Sequence, residues 1–431
     1  MRRPWILILA ALTLAAPSCP RETGPGDYDP DATRPFAPYP AESDLVYLSA
    51  ASSRGDVVYV VAASTGAVVG RVDGPDRTSW VTDTAGRTGY YAVTRREGFT
   101  TLHRIDLRTG ARRMLARDDR SGRSFAMPDD DGWRPTSLAM SADGAGLLVA
   151  RALATGALWL GRYDTTTGAL TAERSWPLAD AATVRFDPVG PNRFAVVAFE
   201  TRDGAVVRQQ LHVVDANVRV VADLAAADLP DATPCASRLV RVTEGWGTVC
   251  AWRNDRYPTV LILDHALQKV RSVMLTLGSA EQVRAFAPAE GGIGVLTDRG
   301  RWALVRDAPV PFDELRDADG RPIRSATLRA IGASDGVVVL ADVVVTNDMT
   351  ARTIALIDVR RGRILTQRQF DGLTGAALGR ELYVLTGIGG DPGGARVGRY
   401  DRATLAPRGP EVTVPRHDET SISGIALVVP P

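Results

Sequence analysis

The side chains best suited to acid–base or metal chemistry are scattered along this chain. Its histidines are His103, His212, His265 and His417. His103 and His212 occupy the same position of a sequence repeat, three residues before an aspartate, but a whole unit separates them. We therefore do not expect them to share a metal ion, and no serine–histidine–aspartate arrangement follows from the spacing. The single lysine, Lys269, follows a predicted hairpin turn, a solvated position that does not favour covalent catalysis.

Acidic side chains are the other candidates for catalysis. Asp83, Asp187 and Asp342 are candidate acids, and a glycan hydrolase would need two inward-facing carboxylates within roughly 5–10 Å of each other. The sequence does not place these three residues relative to one another. We expect the run of three aspartates at 129–131 to be a solvated turn. The same holds for the segment 317–320, which begins like a calcium loop but lacks the later ligands. No metal site is predicted.

The composition rules out several classes of protein. Basic and acidic residues nearly balance, with 51 Lys plus Arg against 50 Asp plus Glu and a formal net charge of +1. A chain without a basic excess is a poor candidate for binding nucleic acid. With 45% apolar residues the chain is also too apolar to be disordered, so we expect a large folded core.

The amino-terminal residues predict export. A short basic start at Met1–Arg3 precedes the apolar stretch Trp5–Ala16, which is too short for a membrane span of about 20 residues. We therefore predict a signal peptide over residues 1–18. Small residues lead up to Cys19 as in bacterial lipoprotein signals, so Cys19 is the predicted lipidation site. Simple secretion, with Cys19 left as a free thiol, is the alternative.

Residues 19–43 predict a spacer between that anchor and a folded domain. The segment is rich in proline, with Pro20, Pro25, Pro30, Pro35, Pro38 and Pro40. Such sequences bury little surface and stay extended. We expect a tether that lifts a single domain, residues 44–431, off a membrane surface.

The rest of the chain repeats one motif, an apolar strand that ends in aspartate and is followed four residues later by glycine. Leu102–Gly110 and Ile354–Gly362 are clear copies. The aspartate can accept hydrogen bonds from backbone N–H groups just ahead, and the glycine can take the left-handed conformation of a bulged hairpin. Each copy therefore predicts two strands joined by a tight turn. The marker positions, 43 to 58 residues apart, are 62, 106, 164, 215, 264, 307, 358 and 401; alanine replaces aspartate at 62, and the copies at 215, 264, 307 and 401 are looser.

A second hairpin lies between successive copies, as at 137–150 and 327–341, so each unit contains four strands. Repeated units of four short strands predict an all-β fold, the β-propeller. The markers indicate eight four-stranded blades, and the short, weakly patterned unit at 281–315 leaves seven as an alternative. The first unit lacks its inner strand. The carboxy-terminal strand Ile422–Val429 is predicted to fill that place and close the ring.

These units resemble the YVTN and quinoprotein-like propeller repeats of bacterial envelope proteins over residues 44–429. The resemblance implies a propeller of the cell envelope. The eight-bladed lipoprotein of outer-membrane barrel assembly also carries Asp-x-x-Thr-Gly repeats, together with a tryptophan that is missing here. Quinoprotein dehydrogenases have that tryptophan a few residues after Thr-Gly, whereas Thr65–Gly66 and Thr109–Gly110 lack it. No adjacent cysteine pair is present either, so no quinone or other cofactor is expected.

Two further cysteines, Cys235 and Cys250, flank a predicted hairpin. Antiparallel pairing would bring them near each other, and in an exported protein a disulfide is the expected state. Two buried free thiols are the alternative. Zinc is not predicted, because no further cysteine or nearby histidine completes a site.

The polar loops hold the candidate interaction residues. Propellers usually bind on the face formed by the connections between blades and the loops between second and third strands. The loops of this kind include 117–135, the longest, and 316–324. We select candidates whose residue types anchor interfaces or which lie in the most polar loops. They are Trp133, Arg134, Arg253, Arg256, Tyr257 and His417.

From these observations we predict a monomeric, non-catalytic lipoprotein that docks a protein partner of the cell envelope with its propeller face. The lipid anchor would tie it to a membrane, in the periplasm or at the outer-membrane surface, and nucleic acid is not an expected partner. Two alternatives use the central funnel instead. One is a lyase or glycan hydrolase, and the other is a binder of glycans or small ligands.

Overall fold

The computed structural model describes much of the chain from residue 35 onward. The described ranges are 35–52, 55–73, 80–83, 85–94, 99–120, 137–153, 156–177, 182–190, 192–202, 205–224, 240–243, 245–250, 258–264, 268–279, 281, 283–289, 292–297, 299–306, 311–314, 328–334, 337–345, 350–358, 363–387, 394–414 and 421–431. Within these ranges the regular structure is β-strand, and no helix is long and apolar enough to cross a membrane.

The described strands form eight four-stranded antiparallel sheets that follow one another along the chain. Sheet 1 contains β1 (Leu45–Ser52), β2 (Gly55–Ala62), β3 (Val68–Asp73) and the last strand, β32 (Ser421–Val429). Sheet 2 contains β4 (Trp80–Thr82), β5 (Thr88–Thr94), β6 (Thr100–Asp106) and β7 (Arg112–Asp118). Sheet 3 contains β8 (Ser137–Met140), β9 (Gly146–Leu153), β10 (Ala157–Asp164) and β11 (Leu170–Pro177). Sheet 4 contains β12 (Ala182–Gly190), β13 (Arg193–Arg202), β14 (Ala205–Asp215) and β15 (Val220–Leu224).

The second half of the chain repeats this arrangement. Sheet 5 contains β16 (Val240–Val242), β17 (Gly245–Cys250), β18 (Thr259–Asp264) and β19 (Lys269–Met274). Sheet 6 contains β20 (Val283–Ala289), β21 (Gly292–Thr297), β22 (Arg301–Val305) and β23 (Asp313–Glu314). Sheet 7 contains β24 (Leu328–Ser334), β25 (Val337–Val345), β26 (Thr350–Asp358) and β27 (Arg363–Asp371). Sheet 8 contains β28 (Leu373–Leu378), β29 (Leu382–Thr386), β30 (Ala395–Tyr400) and β31 (Val412–Val414).

One strand of each sheet lies next to the corresponding strand of a neighbouring sheet. We call these the inner strands: β32 in sheet 1, then β4, β8, β12, β16, β20, β24 and β28. Contacts such as β4 with β8 and β28 with β32 join them. In sheet 1 the inner strand comes from the carboxy terminus, because β32 pairs with β1 in antiparallel register. This is the arrangement of a β-propeller, and the predicted all-β propeller fold is confirmed.

The core lies between the sheets. One cluster combines Tyr47 of sheet 1 with Tyr91 and Ile105 of sheet 2, and another combines Leu160 of sheet 3 with Phe194 of sheet 4. Alternate residues of each strand therefore face different neighbouring sheets, which explains why the strands are apolar on both faces. A sheet that is buried on both faces needs both neighbours, so the units are stable only as an assembly.

The repeated aspartates close the turns between third and fourth strands, as their spacing predicted. Asp106 Oδ1 accepts the N–H groups of Arg108 and Thr109 at 2.9 and 2.8 Å. Similar bonds to backbone N–H groups within four residues are accepted by Asp164, Asp215, Asp264 and Asp401. Gly110, four residues after Asp106, has φ 77°, the left-handed conformation that favours glycine.

The described end of the predicted spacer, residues 35–43, lies against sheets 1 and 2. The Phe36 and Ala37 N–H groups donate to the carbonyls of Thr109 and Val69 at 2.9 and 2.7 Å. Tyr39 donates its hydroxyl to the Arg108 carbonyl at 2.5 Å, and the Arg108 side chain returns a bond to the Ser43 carbonyl at 2.9 Å. This segment is thus attached to the folded domain beside the third-to-fourth-strand turn of sheet 2.

Candidate interaction face

The two ends of the sheets form two faces of the molecule. Because neighbouring strands are antiparallel, the turns between first and second strands lie at the same end as the turns between third and fourth strands. We call that end the lower face. The connections between sheets and the loops between second and third strands lie at the other end, which we call the upper face. The candidate interaction loops predicted from the sequence belong to the upper face.

A cluster of charged and aromatic side chains occupies the upper face where sheets 2 and 3 meet. It consists of Asp118 at the end of β7, Arg120 just after it, Arg151 in β9, Trp159 in β10 and Glu173 in β11. We call these residues the sheet 2–3 cluster. They come from four separate segments of the chain, which the packing of the two sheets brings together.

The inner part of the cluster is a buried ion pair. Arg151 Nη1 lies 2.6 Å from Asp118 Oδ2, and the two side chains are only 4% and 3% exposed. The other carboxylate oxygen, Asp118 Oδ1, accepts a bond from Arg120 Nη1 at 3.0 Å. Removing one partner of such a pair leaves an uncompensated buried charge, at a cost of about 3–5 kcal/mol. The pair therefore fixes the end of β7 against sheet 3.

The outer part of the cluster is open to solvent. Glu173 Oε2 accepts bonds from Arg120 Nη2 at 2.6 Å and from Trp159 Nε1 at 2.9 Å. The Arg120 guanidinium also stands over the Trp159 ring, 4.7 Å from its centroid. Arg120 is 35% exposed and Glu173 is 50% exposed. Both side chains are thus held in defined positions while remaining accessible, a preorganised arrangement that lowers the entropic cost of binding.

The tyrosine beside the cluster is a neutral group. Burial raises the pKa of the Tyr163 hydroxyl, and the Asp118 carboxylate nearby raises it further. Its ring packs edge-on against Trp159, with the centroids 6.4 Å apart. Tyr163 is therefore suited to supporting the tryptophan and not to acting as a base near neutral pH.

A second carboxylate–arginine pair lies on the upper face of sheet 6. Glu281, before β20, binds both Nε and Nη2 of Arg301 at the start of β22, with the Nε contact at 2.8 Å. Glu281 Oε2 also accepts the Gly278 N–H at 2.8 Å, and its side chain is 1% exposed. Burial raises the pKa of Glu281, but the hydrogen bonds from Arg301, Thr297 and the Gly278 N–H together lower it by more, so the net shift is downward. This pair joins the connection between sheets 5 and 6 to the second-to-third-strand loop of sheet 6.

The interaction residues predicted from the sequence lie outside the described residues. This holds for Trp133, Arg134, Arg253, Arg256, Tyr257 and His417, and also for the predicted lipidation site Cys19. The described chain stops at Arg120 and resumes at Ser137, so the sheet 2–3 cluster stands at the base of the segment that contains Trp133 and Arg134. Their proposed role stays a prediction.

Of the predicted disulfide, Cys250 is described. It is the last residue of β17, is fully buried, and is disulfide-bonded. Cys235 lies outside the described residues. The pairing of Cys235 with Cys250 therefore stays a prediction, tested below.

Of the histidines and candidate acids, His103, His212 and Asp83 have structural partners among the described residues. His103 is fully buried, stacks on Tyr91 with centroids 5.0 Å apart, and its Nε2 lies 2.9 Å from Thr101 Oγ1. Asp83 accepts the Arg87 N–H at 2.8 Å in a turn, so it belongs to a local turn. His212 stacks on Trp176. Asp187 lies in β12 and Asp342 in β25. His265 is outside the described residues. Among the described residues no group of three or more His, Cys, Asp or Glu could hold a metal ion.

Sequence reasoning missed most of the sheet 2–3 cluster. The loop 117–135 was singled out for its polarity, and Asp118 and Arg120 stand at its start. Glu173 gives no signal, because an isolated charge in a strand looks like an ordinary solvated position. A buried arginine in a strand needs a carboxylate partner, so Arg151 beside apolar neighbours was the clue that a partner should be sought.

The fold and its faces define a class, the β-propellers, and comparison with known proteins agrees. No family model and no curated protein sequence matches the chain. Among solved structures, dihydro-heme d1 dehydrogenase NirN in complex with DHE superposes with a TM-score of 0.51 at 17% identity, over 91% of this chain and 77% of that one. BamB from Moraxella catarrhalis gives 0.46 at 12% identity, over 81% of this chain and 92% of that one. AztD from Citrobacter koseri superposes with a TM-score of 0.47 at 15% identity, over 86% of this chain and 96% of that one. At 17% identity, the superposition on NirN indicates a shared fold only.

Proposed function

We propose that this chain is an exported, lipid-anchored, non-catalytic propeller of the bacterial cell envelope that docks a protein partner with its upper face. The observation that carries the proposal is the sheet 2–3 cluster. A buried ion pair fixes its base, and Arg120 and Glu173 remain exposed above it. Arginine is enriched among the residues that dominate binding energy at protein interfaces, and the buried Trp159 ring supports Arg120 from below.

The groups near the cluster include exposed charges of both signs and a partly buried aromatic ring. Arg117 is 53% exposed and lies 2.5 Å from Asp119, which is 70% exposed. Arg117 also stands over the ring of Phe99, 4.1 Å from its centroid. A surface with both signs of charge and apolar rings favours a protein partner, because a polyanion would require a one-signed basic surface.

The attachment of residues 35–43 supports the choice of face. This segment contacts the turn of sheet 2 that contains Arg108, on the lower face. The chain toward Cys19 therefore leaves the domain near the lower face. If Cys19 carries the lipid, the upper face is turned away from the membrane and is free to meet a partner.

The experiment is cross-linking in intact cells, followed by pull-down and mass spectrometry. Wild-type protein is compared with Arg120→Ala/Glu173→Ala on the upper face and with Arg113→Ala on the lower face. Arg113 is an exposed arginine that donates to the Thr166 carbonyl at 2.7 Å, so it is a matched control. We expect one envelope protein to be recovered with wild type and Arg113→Ala, and much less with the double variant.

A Cys19→Ala variant tests the anchor separately. We expect it to lose membrane association and, with it, most of the partner. Recovery of no specific protein by any form of the chain would contradict docking. Equal recovery by wild type and Arg120→Ala/Glu173→Ala would contradict the assignment of the upper face.

A further inference from the structure

Residues 35–43, which we call the strap, join sheet 1 to sheet 2. The Phe36 N–H group donates to the Thr109 carbonyl, in the lower-face turn of sheet 2, at 2.9 Å. The Ala37 N–H group donates to the Val69 carbonyl, in β3 of sheet 1, at 2.7 Å. Two consecutive N–H groups of the strap therefore bond two different sheets, so the strap bridges the junction between them.

In the next junction, between sheets 2 and 3, the outer strand itself bonds the neighbouring turn. Arg113 of β7 donates from Nη2 to the Thr166 carbonyl, in the lower-face turn of sheet 3, at 2.7 Å. Arg113 pairs with Arg104, two residues before the repeat marker of sheet 2. At the same register position in sheet 1, Gly70 pairs with Val60, two residues before the marker of that sheet. A glycine has no side chain that could bond the turn of sheet 2 in this way.

The strap supplies the bond that Gly70 cannot make. The Tyr39 hydroxyl donates to the Arg108 carbonyl at 2.5 Å. Arg108 stands two residues after the turn aspartate of sheet 2, as Thr166 does in sheet 3. The Phe36 ring covers Gly70 so closely that a Cβ added there would collide with it. The glycine thus makes room for the strap, and the strap takes the place of the missing arginine.

The strap also packs on the core beneath the strands that close the ring. Phe36 and Tyr39 lie against a buried cluster that contains Leu45 of β1 and Val429 of β32. Leu45 and Val429 are register partners, at the place where the last strand pairs with the first. Removing the strap would uncover part of this cluster, and apolar surface that is returned to water lowers the stability of the strands it belongs to.

The strap is held from one side and is open to solvent on the other. The Arg108 guanidinium donates from Nη1 to the Ser43 carbonyl and from Nη2 to the Ala41 carbonyl, both at 2.9 Å. The exposed residues of the strap are Pro35, Ala37, Pro38, Ala41 and Glu42. A segment with few buried contacts opens at a lower free energy than the core. We therefore expect the strap to open more readily than the strands beneath it.

We infer that the strap is a releasable clasp that holds the ring closed. While it is docked, it fixes sheet 1, where the two ends of the chain pair, against sheet 2. When it detaches, β1 and β32 loosen while the sheets on the far side of the ring keep their packing. Because the strap continues toward Cys19, a force on the amino-terminal segment also acts on ring closure. The inference rests on the contacts of the strap, so it stands independently of the proposed function.

The test is hydrogen–deuterium exchange of the full-length chain, measured by mass spectrometry. In wild type we expect the backbone N–H groups of the strap to exchange faster than those of β1 and β32. In Phe36→Ala, which removes the ring from Gly70, exchange in β1 and β32 should rise roughly tenfold while sheets 4 and 5 stay unchanged. Gly70→Ala should have the same effect, because the three heavy atoms nearest to an added Cβ all belong to the Phe36 ring.

The variant Phe36→Ala/Gly70→Ala separates the strap from other causes. Once the ring is gone, the added Cβ no longer collides with it, so the double variant should exchange like Phe36→Ala alone. Arg113→Ala is the matched control, because it removes the equivalent bond between sheets 2 and 3 and should leave β1 and β32 unchanged.

Circular dichroism checks the fold of each variant, and the comparison of Phe36→Ala with Arg113→Ala decides the question if Gly70→Ala fails to fold. Unchanged exchange of β1 and β32 in Phe36→Ala would overturn the inference, as would an equal rise in Arg113→Ala. Additive effects of Phe36→Ala and Gly70→Ala would also overturn it, because Gly70 would then act apart from the strap.

Discussion

The carboxylates at the two faces of this propeller have different partners. On the lower face, Asp106 and Asp401 accept hydrogen bonds from backbone N–H groups two or three residues ahead of them. On the upper face, Asp118 binds an arginine 33 residues away and Glu281 binds one 20 residues away. Interactions within a turn repeat with the sequence motif. Interactions between segments differ from sheet to sheet.

This difference indicates where the individuality of the protein lies. The lower-face carboxylates form the turns of the scaffold, so the Oδ1 atom of each is occupied by the chain's own backbone, and the further pair of Asp401 with Arg408 is also local in the sequence. The upper-face carboxylates fix loops whose sequences do not repeat, and parts of their arginine partners remain exposed. Binding residues are found more often on such loops, held by a rigid scaffold, than in the scaffold itself.

The largest expected effect comes from breaking the buried pair of the upper face. Asp118→Ala leaves the Arg151 guanidinium buried without its carboxylate, so the free energy of unfolding should fall by about 3–5 kcal/mol in urea titrations. Asp164→Ala is the same change in a lower-face turn, and it should lower the free energy of unfolding by less than Asp118→Ala does. A double variant, Asp118→Leu/Arg151→Met, removes both charges and should regain most of the loss. Equal destabilisation by Asp118→Ala and Asp164→Ala would mean that the two faces do not differ in this way.

A covalent link is the next largest expected contribution on the upper face. Cys250 is buried at the upper end of β17 and disulfide-bonded. With Cys235 as its partner, the bond would close a loop of about 15 residues and contribute about 3 kcal/mol. Peptide mapping without reduction should recover a Cys235–Cys250 peptide, and Cys250→Ser should be destabilised to that extent. Recovery of Cys235 as a free thiol would show that the pairing is wrong.

A pH-dependent contribution is expected from the sheet 6 pair. Although burial raises the pKa of Glu281, the bonds from Arg301, Thr297 and the Gly278 N–H together hold it below the value of 4.5 that an unpaired glutamate has. A carboxylate whose pKa is lowered in the folded state stabilises the protein fully above the unfolded pKa, and the contribution is lost as the pH falls through the folded pKa. Wild type should therefore lose stability below about pH 4.5 more steeply than Glu281→Gln. Parallel curves for the two proteins would show that the pair does not contribute.

The smallest effect on stability is expected at the exposed part of the sheet 2–3 cluster. Glu173→Ala removes an ion pair whose members are 50% and 35% exposed, so the free energy of unfolding should change by about 1 kcal/mol or less. The same change frees Arg120 and Trp159 from their common acceptor and should reduce partner recovery clearly. A large loss of stability with unchanged recovery would mean that Glu173 is a structural residue.

The lower face and the strand order could be predicted from the sequence because they rest on local rules. Asp106 followed by Gly110 specifies a turn within five residues, and Gly110 takes the predicted left-handed conformation. The same rule places the third and fourth strands of several sheets. The pairing of the last strand with β1 joins the two ends of the chain, and it could be predicted because the first unit has one strand too few.

The sheet 2–3 cluster could not be predicted because its partners are distant in sequence. The position of Arg151 relative to Asp118 depends on how sheet 3 packs against sheet 2, and no repeat specifies it. The attachment of residues 35–43 was missed for a similar reason. A proline-rich segment predicts a spacer, but the Phe36 ring lies so close to Gly70 that an added Cβ there would collide with it.

Site-specific photo-cross-linking in intact cells tests the central claim most directly. A photoreactive amino acid replaces Asp119, which is 70% exposed on the upper face, or Thr166, which is exposed in a lower-face turn. The account predicts that position 119 cross-links one envelope protein at high yield and that position 166 does not. Cross-linking of the same protein from position 166 alone, or equally from both positions, would contradict docking through the upper face.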